Sequence, residues 1–142
     1  MTGSRRKARE AVLQALYWTE SAGDPVQQTV HTMCIRTELS PDASAFAMEL
    51  GKTVWAHREE LDELVVPVLQ NWSLDRVSRI DRILLRMALA EMRYFPDIPF
   101  KVSIDEAIEL AKRYSEAKAS GFINGILDTL AKQIQRAEAV EH

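Results

Sequence analysis

Apolar residues recur at helical spacing along almost the whole chain, and this periodicity constrains the fold more than any other feature. Near the start, the pattern i, i+3, i+4, i+7 is filled by Ala8, Ala11, Val12, Ala15 and Leu16, as on one face of an amphipathic helix. Residues Phe100–Ile104 alternate like a short strand, but no second segment offers a partner strand. The periodicity therefore predicts an all-α helical bundle of six to seven helices.

Length and composition predict one domain over residues 1–142, with residues 136–142 forming a frayed tail where the apolar pattern is lost. Apolar residues make up 46% and charged residues 27% of the chain, which is ordinary for a folded cytosolic protein. No apolar run approaches the ~20 residues that a membrane-spanning helix needs. Cys34 is the only cysteine, which excludes an internal disulfide and fits a reducing compartment. We therefore expect a cytoplasmic protein without a membrane partner.

Residues that favour caps and turns mark the expected helix ends. Gly23-Asp24-Pro25 predicts the end of the first helix, and a second helix is expected over Val26–Glu38. Ser40-Pro41 predicts an N-cap followed by a first-turn proline. Pro67 predicts a kink or an early stop in the next helical segment. Asn71-Trp72-Ser73 then interrupts the apolar pattern.

The second half of the chain contains two predicted capping boxes, in which side chains near a helix start bond to free backbone N–H groups. Ser78 with Asp81 predicts the start of one helix, and Ser103 with Glu106 predicts the start of another. Between these helices, Pro96–Pro99 predicts a rigid link without helical structure. The apolar positions expected in the last helix are Ile123, Ile126, Leu127, Leu130 and Ile134.

The net charge of −3 hides an uneven distribution. The first ten residues hold the four basic side chains Arg5, Arg6, Lys7 and Arg9 and a single acidic one, Glu10, whereas the rest of the chain is acidic. A basic head on an acidic body is typical of a localised patch that binds a polyanion. A helix end that merely improves solubility is the alternative interpretation.

Residue patterns for catalysis or metal binding are missing from the sequence. His31, His57 and His142 do not follow a metal-ligand spacing. Cys34 lies on an apolar helical stripe, where a free cysteine usually acts as a small hydrophobic residue. The sequence has neither a glycine-rich phosphate loop nor a nucleophile elbow. We therefore expect a protein that is not an enzyme and that uses neither a metal ion nor a cofactor.

Helical geometry predicts a distinct outward face on the first helix. At 100° per residue, Arg6, Glu10, Leu13 and Tyr17 fall within roughly 60° of one another, away from the apolar stripe. Tyr17 is therefore expected near the surface. Arginines beside an exposed aromatic ring are typical of sites for single-stranded RNA. A half-buried tyrosine with its hydroxyl in water is the alternative.

The helix that begins near Ser78 carries a second stripe, of Arg79, Arg82, Arg86 and Arg93. These arginines could form a track for phosphates or salt bridges between helices, and the surplus of carboxylates favours salt bridges. Glu91 points into the apolar stripe of the same helix. Because a buried unpaired carboxylate is unfavourable, we expect Glu91 to meet a basic side chain or a helix N-terminus.

Gly125 lies in the middle of the last predicted helix. A glycine there is about 1 kcal/mol less favourable than alanine. Its presence therefore predicts the close approach of another helix backbone, with Asn124 bonding to a neighbouring loop.

Five segments together resemble the NusB family of transcription antitermination factors. In chain order they are Arg5–Glu10 with Leu13–Tyr17, Trp72–Arg76, Ile83–Ala88, Asp97–Lys112 and Phe122–Asp128. Only residues 20–60 are unspecific. The chain departs from the family pattern at Ala90, Asp105 and Gly121.

The resemblance implies an all-α NusB-like fold and a role in antitermination of ribosomal RNA operons. It implies binding to the boxA element of nascent, single-stranded RNA together with NusE, a small-subunit ribosomal protein, within an RNA polymerase antitermination complex. The residues that match RNA-contacting positions of the family are Arg5, Arg6, Arg9, Tyr17 and Phe122. Lys118 is expected to replace a cation that the family often has at position 121, and Asp81 matches a position near the partner surface.

Two other functions remain compatible with the sequence. NusB-like domains also form part of ribosomal RNA cytosine methyltransferases, so the chain could be a detached RNA-binding module of that kind. It could also be a protein-binding adaptor whose arginines make salt bridges. RNA binding that weakens with salt would separate a phosphate-binding protein from such an adaptor.

Overall fold

The computed structural model describes residues 2–70 and 73–141, and in these ranges the chain is helical without a β-strand. The helices are α1 (Thr2–Ala22), α2 (Val26–Arg36), α3 (Pro41–Ala56), α4 (Arg58–Val65), α5 (Arg79–Tyr94), α6 (Phe100–Tyr114) and α7 (Ala119–Glu141). Short 3-10 turns lie at Val66–Val68 and Leu74–Arg76. The predicted all-α class and helix number are thus confirmed. The expected interruption at residues 71 and 72 and the comment on His142 lie outside the described residues.

Local capping signals set most helix ends as predicted. Gly23 follows the end of α1 with a φ of 82°, a left-handed conformation that glycine adopts without strain. The Ser40 hydroxyl oxygen accepts a hydrogen bond from the Ala43 N–H at 3.2 Å. The Ser78 hydroxyl does the same for the Asp81 N–H, also at 3.2 Å. Pro67 lies in a 3-10 turn directly after α4, which confirms the early stop.

The prediction of a second capping box, formed by Ser103 and Glu106, is wrong. Helix α6 begins at Phe100 behind an extended Pro99, whose φ of −60° and ψ of 143° place it as the N-cap. The Pro99 carbonyl accepts hydrogen bonds from Val102 and Ser103. Ser103 is therefore already inside the helix and is buried. The strand-like alternation at residues 100–104 has no partner strand in the described chain, and these residues follow the helix instead.

The first compact unit covers residues 1–57 and consists of α1, α2 and α3, which pack against one another. Its core includes Ala11, Leu16 and Leu50, none of them more than 2% exposed. Gly51 on α3 faces Val30 on α2 so closely that an added Cβ would lie 2.7 Å from a Val30 methyl carbon. A side chain at position 51 would therefore force Val30 or one of the two helices to shift.

The second compact unit covers residues 58–142 and is centred on α5, which packs against α4, α6 and α7. Every residue from Ile83 to Met92 is buried. The predicted fraying of 136–142 stays a prediction. In the structure α7 continues to Glu141, and residues 136–139 are exposed.

Gly125 does not serve the helix contact that we expected. It is exposed on α7, and an added Cβ would meet no atom within 4 Å outside the neighbouring turns of its own helix. The prediction that another helix backbone approaches Gly125 closely is therefore wrong for the described residues.

Candidate nucleic-acid interface

The basic head lies on the first two turns of α1 and is held there by an aromatic ring from α3. Arg5, Arg6 and Lys7 are exposed, whereas Arg9 is only 3% exposed. The guanidinium carbon of Arg5 lies 4.3 Å from the centroid of the Phe46 ring, and that of Arg9 lies 5.2 Å from it. Both distances are within the range of cation–π attraction. Phe46 thus orients an exposed arginine from inside the first unit.

Phe46 was missed at the sequence level. It matches the apolar spacing of α3 and is itself buried, so its pattern predicts only a core residue. Nothing in the spacing along the chain connects it with Arg5, because the contact depends on how α1 packs against α3.

Tyr17 is 43% exposed, which confirms its predicted place near the surface of α1. Leu13 does not share that exposure, because it is 2% exposed and belongs to the core. The outward face that helical geometry predicted is therefore interrupted by a buried residue between Arg6 and Tyr17. At 1.5 Å per residue these two side chains start about 16 Å apart along the axis.

A cleft of about 390 Å³ in the second unit brings together three residues that the family resemblance singled out, Asp81, Lys118 and Phe122. Arg76 and Ser115 also line it. Because these residues come from the starts of α5 and α7 and from the loops beside them, their proximity is a result of tertiary packing.

Asp81 is fixed within this cleft. Its side chain is 8% exposed, and its Oδ1 accepts a hydrogen bond from the Ser115 hydroxyl at 2.7 Å. A carboxylate in the first turn of α5 also interacts favourably with the helix dipole. Lys118 is exposed at the rim of the cleft, and Phe122 is half-buried.

Two arginines of the stripe on α5, Arg86 and Arg93, make salt bridges of the kind that the surplus of carboxylates predicted. Arg86 binds Asp62 on α4 through two hydrogen bonds, both 2.7 Å long. Arg93 lies 3.2 Å from Glu60. Arg86 and Arg93 therefore join α5 to α4 and do not form a phosphate track.

Two groups, Tyr94 on α5 and Cys34 on α2, have altered pKa values. Burial raises the pKa of Tyr94, and the hydrogen bond that its hydroxyl donates to Glu60 at 2.7 Å raises that pKa further. Burial also raises the pKa of the Cys34 thiol, although a side-chain hydrogen bond with Ser44 opposes this. Cys34 is thus kept in its less reactive, protonated form.

Residues 2–70 and 73–141 contain no group of three or more His, Cys, Asp or Glu side chains that could hold a metal ion. The helices in this part of the chain are also all too short or too polar to cross a membrane.

Comparison with known proteins places this geometry in a family. The model of the NusB family matches residues 6–132, which include Arg6, Lys7 and Arg9 of the basic head and every residue that lines the cleft. The chain belongs to the NusB family.

Relatives of this NusB family member cover almost its whole length. Transcription antitermination protein NusB of Myxococcus xanthus (strain DK1622) is 44% identical over 138 residues, or 94% of this chain and 99% of the relative. The protein of the same name from Bacillus subtilis (strain 168) is 39% identical over 133 residues, with 94% and 98% covered. These names denote transcription factors and not enzymes.

Solved NusB structures share the fold. NusB of T. maritima has a TM-score of 0.84 at 37% identity, with 90% of each chain covered. A chain from a crystal structure of the antitermination factors NusB and NusE in complex with double-stranded RNA has a TM-score of 0.83 at 25% identity. It covers 94% of this chain and 99% of the other.

Proposed function

We propose that this NusB family member is an RNA-binding transcription antitermination factor. In this proposal it binds the boxA element of nascent ribosomal RNA together with NusE and promotes read-through by RNA polymerase, a role that would place it in the cytoplasm. The names of its relatives support antitermination. The NusB–NusE complex with RNA supports both partners, although the RNA there is double-stranded.

The observation that carries this proposal is the cationic start of α1 on an otherwise acidic chain. Arg5, Arg6 and Lys7 are exposed to solvent, and arginine binds phosphate through charge-assisted hydrogen bonds. We assign Arg5 and Arg6 to RNA phosphates. Arg9 is buried against Phe46, so we assign it the role of positioning the start of α1.

The remaining predicted residues are proposed as further contacts, each within its own compact unit. Tyr17 offers a ring that is exposed enough to stack on a base, and Phe122 offers a second ring. Lys118, at the rim of the cleft, is assigned to a phosphate. Asp81 lines the same cleft, and we assign it to the NusE side of the complex.

RNA binding by Arg6→Ala tests the phosphate assignment. We expect weaker binding to a boxA-type RNA, and a salt dependence that is shallower by about 0.7 in log–log slope, because one phosphate contact is lost. The melting temperature should stay the same because Arg6 is exposed. Fluorescence anisotropy at several salt concentrations measures both quantities.

Lys52→Ala is the matched control, since Lys52 is an exposed cation on α3 outside the basic head. It should leave the affinity almost unchanged. Equal losses for both variants would mean that the basic head acts only through overall charge. No loss for Arg6→Ala would remove Arg6 from the RNA site.

The two alternatives make different predictions in the same assay. A protein adaptor would bind NusE but not boxA-type RNA at any salt concentration. A detached methyltransferase-type module would bind RNA but would not need NusE. The cationic start of α1 on an otherwise acidic chain favours RNA binding over the adaptor function, because such a local concentration of positive charge is complementary to a polyanion.

A further inference from the structure

Two glycines on the exposed side of α7 have no role within the described chain. Gly121 and Gly125 are both exposed and helical, and an added Cβ at either would meet no atom within 4 Å outside nearby turns of α7. Glycine is among the least favourable residues in a helix. The helix therefore leaves its backbone open on one side without any gain in packing.

A groove of about 500 Å³ lies along these glycines. One wall is the turn after α4, with Pro67, Val68 and Gln70, and the other wall is α7. The α7 residues that line it are Gly121, Phe122, Gly125, Ile126, Thr129 and Gln133. No lining side chain is charged.

The lining has the chemistry that binds a nucleobase. Apolar and aromatic surface from Phe122 and Ile126 suits the flat face of a base. The amides of Gln70 and Gln133 can both donate and accept hydrogen bonds, as base edges require. The Thr129 hydroxyl already donates to the Gly125 carbonyl at 3.1 Å, which leaves its oxygen free to accept.

Cations follow the same side of α7. At 100° per residue, Lys132 and Arg136 lie within about 60° of Gly121 and Gly125. Both are exposed, and neither forms an ion pair with a side chain that the structure describes. Lys118 is exposed just before the helix begins, and Asp128 is the acidic residue at the border of this face. An uncharged groove beside basic residues is complementary to a polyanion that carries neutral bases.

We propose that this groove binds a nucleotide of single-stranded RNA that flanks the boxA element. The base lies against Phe122 and Ile126, the phosphates meet Lys132 and Arg136, and the open backbone at Gly125 lets the sugar approach α7. This inference rests on the proposed function and extends it, because the RNA continues past Phe122 along the last helix.

Lengthened RNA tests the groove. We would measure binding of a boxA-type RNA and of the same RNA extended by a uridine tract at one end or the other. One extended RNA should bind at least about fivefold tighter, as one stacked base provides. Gly125→Gln, which fills the groove with a helix-favouring side chain, should abolish this gain without lowering the melting temperature. The affinity for the short RNA should not change.

Charge reversal provides an independent variant. Lys132→Glu with Arg136→Glu should remove the same gain and make the salt dependence of the extended RNA shallower by about 1.4 in log–log slope. The matched control is Lys52→Glu with Lys101→Glu, since both of these lysines are exposed on other helices. The control pair should retain most of the gain.

The outcomes separate this inference from the proposed function. If the short RNA binds normally and no extended RNA gains affinity, or the gain survives both groove variants, the inference is overturned and the proposed function stands. If Gly125→Gln instead loses binding to purified NusE, the groove is a protein site and the inference is equally overturned. A wild-type protein that binds neither RNA contradicts both.

Discussion

Glu91 is only 2% exposed and lies on the buried side of α5. Its Oε1 accepts a hydrogen bond from the Ser103 hydroxyl in the first turn of α6 at 2.9 Å. The partner in this bond is a neutral side chain in the first turn of α6, where a basic side chain or a helix N-terminus was expected.

Glu91→Ala should lower the free energy of unfolding by about 1–3 kcal/mol, because it leaves the Ser103 hydroxyl buried without its acceptor. Glu91→Gln keeps an acceptor oxygen and should lose less. Urea denaturation of both variants measures the difference. A loss below about 0.5 kcal/mol for the alanine variant, typical of surface changes, would show that this hydrogen bond does not stabilise the fold.

Cys34 gives the first unit a dependence on alkaline pH. Burial raises the pKa of its thiol in the folded protein, whereas the unfolded chain deprotonates near pH 8.5. Below that pH the thiol is protonated in both states and has no effect. Above it, the unfolded state loses its proton first, so the free energy of unfolding falls as pH rises.

We expect wild-type stability to fall more between about pH 8 and pH 10 than that of Cys34→Ala, by at most about 1.4 kcal/mol per pH unit. The quantity to compare is how steeply the free energy of unfolding changes with pH, because the alanine variant also loses packing energy at every pH. Tyr94, whose pKa is raised as well, contributes equally to both proteins. Parallel curves for the two proteins would show that the Cys34 thiol does not titrate differently in the folded state.

At the scale of helices, two glycines that both lie inside a helix have opposite surroundings. Gly51 on α3 is covered by Val30 on α2, whereas Gly125 on α7 faces open space. Both are helical, so replacement by alanine brings the same gain in helix propensity of about 1 kcal/mol. Only the contact between α2 and α3 distinguishes them.

Gly51→Ala should destabilise the protein by about 1–2 kcal/mol, since a Cβ at 2.7 Å from a Val30 methyl group forces the two helices apart. Gly125→Ala is the matched control and should stabilise it by about 0.5–1 kcal/mol. Thermal and denaturant unfolding would measure both. Combining Gly51→Ala with Val30→Ala should recover part of the loss if the overlap is its cause, and no recovery would contradict this account.

At the scale of the whole molecule, each compact unit has an aromatic ring that we propose as an RNA contact, Tyr17 in the first unit and Phe122 in the second. Each replacement by alanine should weaken RNA binding by about 1–3 kcal/mol if the ring stacks on a base. Tyr17→Phe should change little, because stacking needs the ring and not the hydroxyl. Anisotropy with boxA-type RNA measures these effects.

Melting of the same variants separates a binding role from a structural one. Tyr17 is 43% exposed, so its replacement should barely change the melting temperature. Phe122 is half-buried and lines two cavities, so its replacement should lower the melting temperature somewhat as well. A Tyr17→Ala protein that melts early but binds RNA normally when folded would contradict the stacking role.

The sequence alone determined those features that depend on neighbours within about one helical turn. The apolar spacing predicted the helices, and Gly23, Ser40 and Ser78 predicted where they end or begin. The ordered motifs were sufficient to indicate the family. Ser103 was misassigned because a capping signal competes with a nearby proline, and Pro99 provides an extended N-cap one turn earlier.

Tertiary structure alone decided which side chains meet across helices. The contact of Arg5 with Phe46 spans more than forty positions, and the pair Arg86–Asp62 spans 24. Gly51 and Gly125 are both glycines inside helices, and what lies opposite each of them is decided by helix packing. Such contacts depend on which helix faces pack together, and many pairings of amphipathic helices bury similar apolar area. The periodic pattern therefore specifies that the apolar face of each helix is buried, but it does not specify which other helix covers that face.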